Sequence, residues 1–416
     1  MNLLNELQDK KYITQSIDNE TLMSFRKMRE SVQCITKLDD YLYDITVPVD
    51  YTIGFDEFEN VYKRIAPACT SVRFGSCHGR NFDWIYDKGV TFLVRTPHTD
   101  ELYATIGVGC DISGFSSRSG VLTKEYVESG QWNDRYLLLP FATLDGINEK
   151  GLCVSCNVVP VHDLEKPTTG TNPGAPNSIC TFMLLRWLID HYATATEAVT
   201  AIQNDLNIWA PANKFGYEIH YLISDPIESY IVEFWNNSVI VSKVYGEGIN
   251  DPKAYITNFY VNGVQYDEGG KVIIDSTTPN GSGIERYNYI TANKADFGTA
   301  SSMMESLGSK LKYTNAYRRT TSPSWNSEFV GVQYGGHIFT NRDSQETFQP
   351  WLDHVYEVFE TSFSRESGAW WQTVHTTIYD MDTKELHILT QEQDLSKVKT
   401  ISFADMTNIK HLIPND

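Results

Sequence analysis

Cys69 and Arg80 are spaced so that a thiol and a guanidinium come to share one face of a hairpin. Gly75-Ser76 reads as a two-residue turn, which pairs the strand Cys69–Phe74 with the strand Cys77–Trp84 and sets Ser71 opposite Arg80 and Cys69 opposite Phe82. Opposed residues share a face and faces alternate with period two, so Cys69, Ser71, Arg80 and Phe82 project from the same side. A cation beside the sulfur favours the thiolate, the nucleophilic form of the group. Cys69 taken alone reads as a small buried hydrophobe; its company is what makes it a candidate. Alternation sends Asp83 to the face opposite Arg80, and it reaches Cys69 only where the strand ends or bulges. From these residues alone, Arg80 and Asp83 make a structural ion pair as readily as a catalytic one.

The remaining constellations carry less. Cys153-x-x-Cys156 lies in a strand pattern that points its two thiols to opposite faces, and no second pair completes a zinc site. The ten histidines show no HExxH spacing, so no metal is expected. Gly107-Val-Gly lacks the third glycine of a dinucleotide fingerprint and Gly281-Ser-Gly lacks the lysine of a phosphate loop. No cofactor is expected. Tyr126, Trp132, Tyr136 and Phe141 fit the lining of an acyl pocket or plain core equally well.

Cys69-Thr-Ser-Val followed by Gly79-Arg-Asn-Phe-Asp83 resembles the signature of the choloylglycine hydrolase family, the linear amide C-N hydrolases, which are N-terminal-nucleophile (Ntn) enzymes. Asp145-Gly-Ile-Asn-Glu-Lys-Gly-Leu-Cys-Val-Ser-Cys-Asn157 is similar to that family's second block, Thr257-Asn258 to its Thr-Asn element, Ser282-Gly-Ile-Glu-Arg286-Tyr to its distal arginine segment, and Trp371 to Leu386 to its closing hairpin. The chain departs from the pattern at Cys156, before Asn157, and at Phe259-Tyr260, where proline commonly follows the asparagine. The resemblance implies an α+β fold, the four-layer αββα sandwich of two antiparallel sheets. It implies that Cys69 is the nucleophile, that Arg80 and Asp83 orient and tune it, that Asn157 and Asn258 help hold the oxyanion, and that Arg286 completes the polar cluster.

Elementary chemistry runs the same way. An internal cysteine has no general base near it in sequence, but cutting the Ala68-Cys69 bond frees an α-amine whose pKa, about 7.7 to 8.0 in model compounds, suits proton transfer near neutrality. Nucleophile and base then belong to one residue. Residues 1–68 become a propeptide, helical and extended, that blocks the site, and residues 69–416 the catalytic domain. Pro67 imposes an extended conformation on Ala66 just before the junction. The expected function is a self-processing cysteine amidase that hydrolyses a linear C-N amide of a small-molecule N-acyl substrate through a thioester on Cys69. An acyltransferase using the same thioester is the alternative within enzymes; a non-catalytic protein holding an acylated ligand on this fold is the alternative outside them.

The elements that must position these residues are mostly strands. Cys69 to Phe74, His78 to Trp84, Val90 to Arg95, Tyr103 to Val108, Leu152 to Val159, Tyr217 to Ser224, Ser229 to Phe234 and Ser238 to Val244 read as strands, several joined by tight turns. A helix apolar nearly all round is expected over Ser178–His191, and Thr194-Ala-Thr-Glu197 makes a capping box for another running to Leu206. Leu3–Val32 reads as polar and intermittently helical, and further helices are expected over Gly54–Arg64, Ala300–Lys310 and Trp351–Phe363, with a final hairpin over Trp370–Thr390. Strands in runs with helices clustered between them indicate layers of helix and antiparallel sheet.

Composition bounds the function. The chain has 416 residues and a formal charge of -19, which excludes a nucleic-acid partner. No run approaches the roughly 18 apolar residues of a membrane span. Seven cysteines, an odd number in a long chain, fit reduced thiols and a cytoplasmic location. With 24 Tyr, 19 Phe and 9 Trp, the aromatic excess favours strands and apolar pockets. A homo-oligomer is compatible with all of this, and the sequence leaves it open.

Overall fold

The structure is a computed structural model. It describes residues 35–46, 68–84, 90–110, 124–129, 139, 143–160, 178–209, 217–235, 238–273, 283–311, 332–334, 337–339, 372–390 and 394–403. The helices expected over Leu3–Val32, Gly54–Arg64 and Trp351–Phe363 lie outside these residues.

Two sheets carry the architecture. The larger has nine strands: β1 (Ile35–Lys37), β2 (Leu42–Thr46), β5 (Thr91–Thr96), β6 (Thr105–Cys110), β7 (Thr143–Asn148), β8 (Cys153–Pro160), β9 (Tyr217–Ser224), β10 (Ser229–Trp235) and β11 (Ser238–Tyr245), in that spatial order. The smaller has six, in the order β12 (Tyr255–Ile256), β3 (Ala68–Phe74), β4 (Cys77–Trp84), β13 (Gln372–Asp380), β14 (Glu385–Thr390) and β15 (Lys399–Ser402). Every pairing in the six-stranded sheet is antiparallel. The nine-stranded sheet is antiparallel save at one junction, because β2 joins β5 in parallel. That junction belongs to the segment preceding Cys69, and its apolar Leu42, Tyr43 and Ile45 are buried.

The sheets pack face to face, with β3 against β8 and β9, and helices cover both outer faces. On the nine-stranded sheet lie α1 (Thr181–His191) and α2 (Ala195–Asn204). The Thr194–Glu197 capping box forms as its spacing predicts: Thr194 accepts from the Glu197 backbone N–H and the Glu197 carboxylate accepts from that of Thr194. α1 begins three residues later than expected, because Ser178–Cys180 pairs in parallel with Asn207–Trp209 as a short strand. On the six-stranded sheet lie α3 (Ile284–Ala292), reached through β12, and α4 (Ala300–Glu305), which continues as a π turn over Ser306–Lys310. The result is the αββα layering, one apolar core between the sheets (Leu93, Ile106, Val108, Ile147 against Tyr379, Leu386, Ile388) and another under α3 and α4 (Val72, Tyr255, Tyr287, Met303, Leu307).

The hairpin that presents Cys69 has the predicted register. Cys69 pairs with Phe82 and Ser71 with Arg80, and Gly75 takes the left-handed φ of +55° that the tight turn requires. Arg80 faces the other sheet, while its neighbour Asn81 faces the helices and donates to the carbonyls of Leu307 and Leu311.

Candidate active site

The site lies between the sheets at the start of β3. Cys69, Arg80, Asp83 and Asn157 have no solvent exposure, and Asn258 and Arg286 have 2% each. Arg80 Nη2 donates to Cys69 Sγ at 3.0 Å and to the Cys156 carbonyl at 3.0 Å, while Nη1 meets Asp145 Oδ1 at 3.0 Å. The thiol–guanidinium contact foreseen from the turn is therefore present. Burial nonetheless dominates the sulfur: it pushes the Cys69 thiol up to about 11, against the opposing pull of Arg80.

Asp83 obeys the alternation and stays off the thiol's face. It pairs with Ala68 near the end of β4, takes a hydrogen bond from Thr373 Oγ1 at 2.5 Å, and sits 3.7 Å from Arg286 Nη1. Its second oxygen, Oδ2, is buried without a hydrogen bond. Burial holds the Asp83 carboxyl up at about 6, with Arg286 and Thr373 acting the other way. Arg286, from the first turn of α3, reaches the backbone of the candidate nucleophile: Nη1 donates to the Cys69 carbonyl and to Thr70 Oγ1, and Nη2 to Asn258 Oδ1 at 2.7 Å. Gly283 makes room for it. Its φ is +83°, and a Cβ there would lie 2.5 Å from Arg286 Nη2.

Asn258 follows β12 and closes the ring around Cys69: its Oδ1 accepts the Cys69 backbone N–H at 2.8 Å, and its Nδ2 donates to the Val158 carbonyl at 2.7 Å. Asn157, on β8, donates through Nδ2 to the carbonyls of Ile256 and Thr257, both at 3.1 Å, and accepts from Ser71 Oγ at 2.9 Å. All six expected residues thus join one polar cluster, in which Asn157 grips the strand leading to Asn258 and Asn258 grips Cys69.

Sequence reasoning gave no role to Asp145, although it opens the second block. It is the counter-ion of Arg80 and the acceptor for His375 Nε2 (3.2 Å), Thr377 Oγ1 (2.5 Å) and the Tyr379 hydroxyl (2.8 Å). Burial alone would raise Asp145, but Arg80 and these donors bring it down to about 2. The signal was present in the period-two placement of His375, Thr377 and Tyr379 on the closing hairpin. A bulge opposite Phe82 and Asp83, skipping Val374, sets that phase.

The Cys69 thiol is thus buried and held by a guanidinium, with its own backbone amide and carbonyl clamped by Asn258 and Arg286. The family model of the linear amide C-N hydrolases, choloylglycine hydrolase family, matches residues 69–278, half of the chain and beginning at this cysteine. The chain belongs to that family. It is a hydrolase of carbon–nitrogen bonds other than peptide bonds, in linear amides. Two variants of conjugated bile acid hydrolase from Clostridium perfringens are similar to it at 13% and 14% identity, over 81% of this chain and 93% of theirs, with TM-scores of 0.38 and 0.42. Penicillin V acylase from Agrobacterium tumefaciens is similar at 14% identity over 81% of this chain and 86% of its own, with a TM-score of 0.37. None of the curated proteins matches the chain. No helix among the described residues is long and apolar enough to cross a membrane.

Proposed function

We propose that the chain is a self-processing cysteine amidase whose mature nucleophile and general base are the thiol and the α-amine of Cys69. The observation that carries this reading is the treatment of the Ala68–Cys69 junction: the Cys69 N–H and C=O are held by Asn258 and Arg286, the sulfur by Arg80, and a hydrogen-bond-free carboxylate oxygen of Asp83 lies within the same buried cluster. A structural cysteine needs none of this.

Processing begins with attack of Cys69 Sγ on the Ala68 carbonyl carbon. The S–C bond forms, the C–N bond breaks, and the Cys69 nitrogen keeps the thiol proton as an amine. Water then cleaves the thioester, returning the thiol and leaving a carboxylate on Ala68. The new amine replaces a neutral amide beside Asp83 and Asn258 Oδ1, which suit an ammonium far better.

In turnover the amine takes the thiol proton, the thiolate attacks the amide carbonyl of an N-acyl substrate, and the amine leaves with that proton. Water releases the acyl group as an acid. The developing oxyanion falls to the Asn258 side-chain amide, and losing such a donor typically costs about 10²- to 10³-fold. Asn157 serves it by fixing the Ile256–Thr257 backbone. Residues 35–46 stay on the enzyme after the cut as strands β1 and β2.

The test is Cys69→Ala, with penicillin V, a glycine-conjugated bile acid, an N-acylethanolamine and an acyl homoserine lactone as probes. The variant should neither split nor release acid from any probe the wild type cleaves. Residual hydrolysis by Cys69→Ala would remove the thiol from the chemistry.

A further inference from the structure

We infer that His220 and Glu233 form a buried hydrogen-bonded pair that positions Asn258, and so act as positioning residues of the acyl-transfer site; this rests on the reading of that site proposed above. His220, on β9, is paired directly with Asn157 of β8, and both residues aim at one acceptor. The Thr257 carbonyl receives Asn157 Nδ2 at 3.1 Å and His220 Nε2 at 2.9 Å. A carbonyl only accepts, so Nε2 carries a proton.

The other ring nitrogen, Nδ1, lies 3.2 Å from Glu233 Oε1, on the neighbouring strand β10. Glu233 takes three further N–H donors: the Val261 amide at 2.8 Å, the Asn262 amide at 3.1 Å and Asn262 Nδ2 at 2.7 Å. Glu233 thus accepts on both oxygens, and its Oε1 shares one hydrogen bond with His220 Nδ1. Neither residue has any solvent exposure.

Apolar side chains of the same volume would fill this part of the core at lower desolvation cost. What the pair provides instead is aim, since its hydrogen bonds converge on residues 257–262. His220 fixes the carbonyl just before Asn258, and Glu233 fixes the amides three and four residues after it. Asn258 Oδ1 in turn holds the Cys69 N–H and Arg286 Nη2. The row Asn157, His220, Glu233 across β8, β9 and β10 is thus a polar clamp on the segment that carries the oxyanion donor. A displacement of about 1 Å at a reacting centre can cost 10²-fold in rate.

The experiment compares wild type, Glu233→Gln, Glu233→Asp and His220→Asn as processed enzymes on whichever N-acyl probe the wild type turns over. Alongside it run iodoacetamide alkylation of Cys69 and amide hydrogen exchange of residues 256–262. Glu233→Gln should lower kcat by about 10- to 100-fold, leave KM within about twofold, leave Cys69 alkylation at the wild-type rate, and speed exchange at Val261 and Asn262. Glu233→Asp, which keeps the carboxyl group, should recover part of kcat. Unchanged kcat in a folded Glu233→Gln overturns the inference, as does a joint fall of kcat, alkylation and thermal midpoint, which marks plain packing. Failure of both Glu233→Gln and His220→Asn to fold overturns it in the same way. A wild type that hydrolyses none of the probes sinks the proposed function instead, and the exchange measurement still decides whether the pair holds the 257–262 segment.

Discussion

Replacing Arg80 by methionine keeps a flexible stem in place and removes the guanidinium. Three contacts at 3.0 Å go with it: to Cys69 Sγ, to the Cys156 carbonyl and to Asp145. Two consequences separate cleanly. Asp145, fully buried, keeps only His375, Thr377 and Tyr379 as partners. Stranding one member of a buried pair costs about 3–5 kcal/mol, which lowers the thermal midpoint by roughly 3–7 °C at about 2.1 cal/mol/K of unfolding entropy per residue over a chain of this length. The thiolate loses a charge-assisted hydrogen bond of about 1.5–3 kcal/mol, equivalent to an upward move of the thiol titration by about 1–2 pH units.

The assay is the pH profile of iodoacetamide alkylation at Cys69, resolved from the other cysteines by peptide mass, with both proteins in the same processing state. The profile of Arg80→Met should move to higher pH by that amount. Arg80→Lys, which keeps the charge without the planar fork, should fall between. A folded Arg80→Met whose profile overlies that of the wild type would refute the assignment of Arg80 to the sulfur.

Asp83 and Asp145 give opposite pH signatures. Burial raises Asp83 to about 6 in the fold against about 3.9 unfolded, so its ionisation costs stability, and that cost builds as pH rises from about 3.9 and is complete above about 6; Asp83→Asn should flatten this part of a curve of thermal midpoint against pH. Asp145 is held at about 2, so its contribution is complete above the ordinary carboxylate range and is lost as pH falls through about 2; Asp145→Asn should remove that acid slope. Gly283→Ala forces φ +83° on an alanine and drives a methyl into Arg286, so a cost of about 1–3 kcal/mol and at least a tenfold loss of hydrolysis are expected from calorimetry and acid-release assays. On gel filtration of the self-cleaved protein the leader should elute with the chain that starts at Cys69, since burial of Leu42, Tyr43 and Ile45 contributes about 1.5–3 kcal/mol per side chain; elution of residues 35–46 apart from that chain would contradict it.

The hairpin of Cys69 and Arg80 was legible because a two-residue turn fixes register, and register fixes faces. The capping box at Thr194 was legible because it is a contact between residues three apart. What escaped was non-local. Asp145 meets Arg80, and His375 and Tyr379 meet Asp145, only because β13 lies beside β4 and the two sheets face each other, and no local pattern encodes either neighbour. The parallel entry of β2 beside β5 is likewise a tertiary choice, although the alternation in Leu42–Thr46 is that of an ordinary strand. Ser178–Cys180 joined a strand pair rather than α1 because Asn207–Trp209 lies alongside it. The side of the strand that Asp83 takes was legible from alternation alone, whereas its partners Thr373 and Arg286 come from distant segments.

The most direct measurement is a time course of intact mass on freshly purified protein, followed by an acid quench in the presence of a cleaved N-acyl probe. The account predicts two chains that part between Ala68 and Cys69, with the acyl mass appearing on the chain that starts at Cys69 and decaying as acid is released. A single uncut chain that hydrolyses the probe at full rate would contradict it.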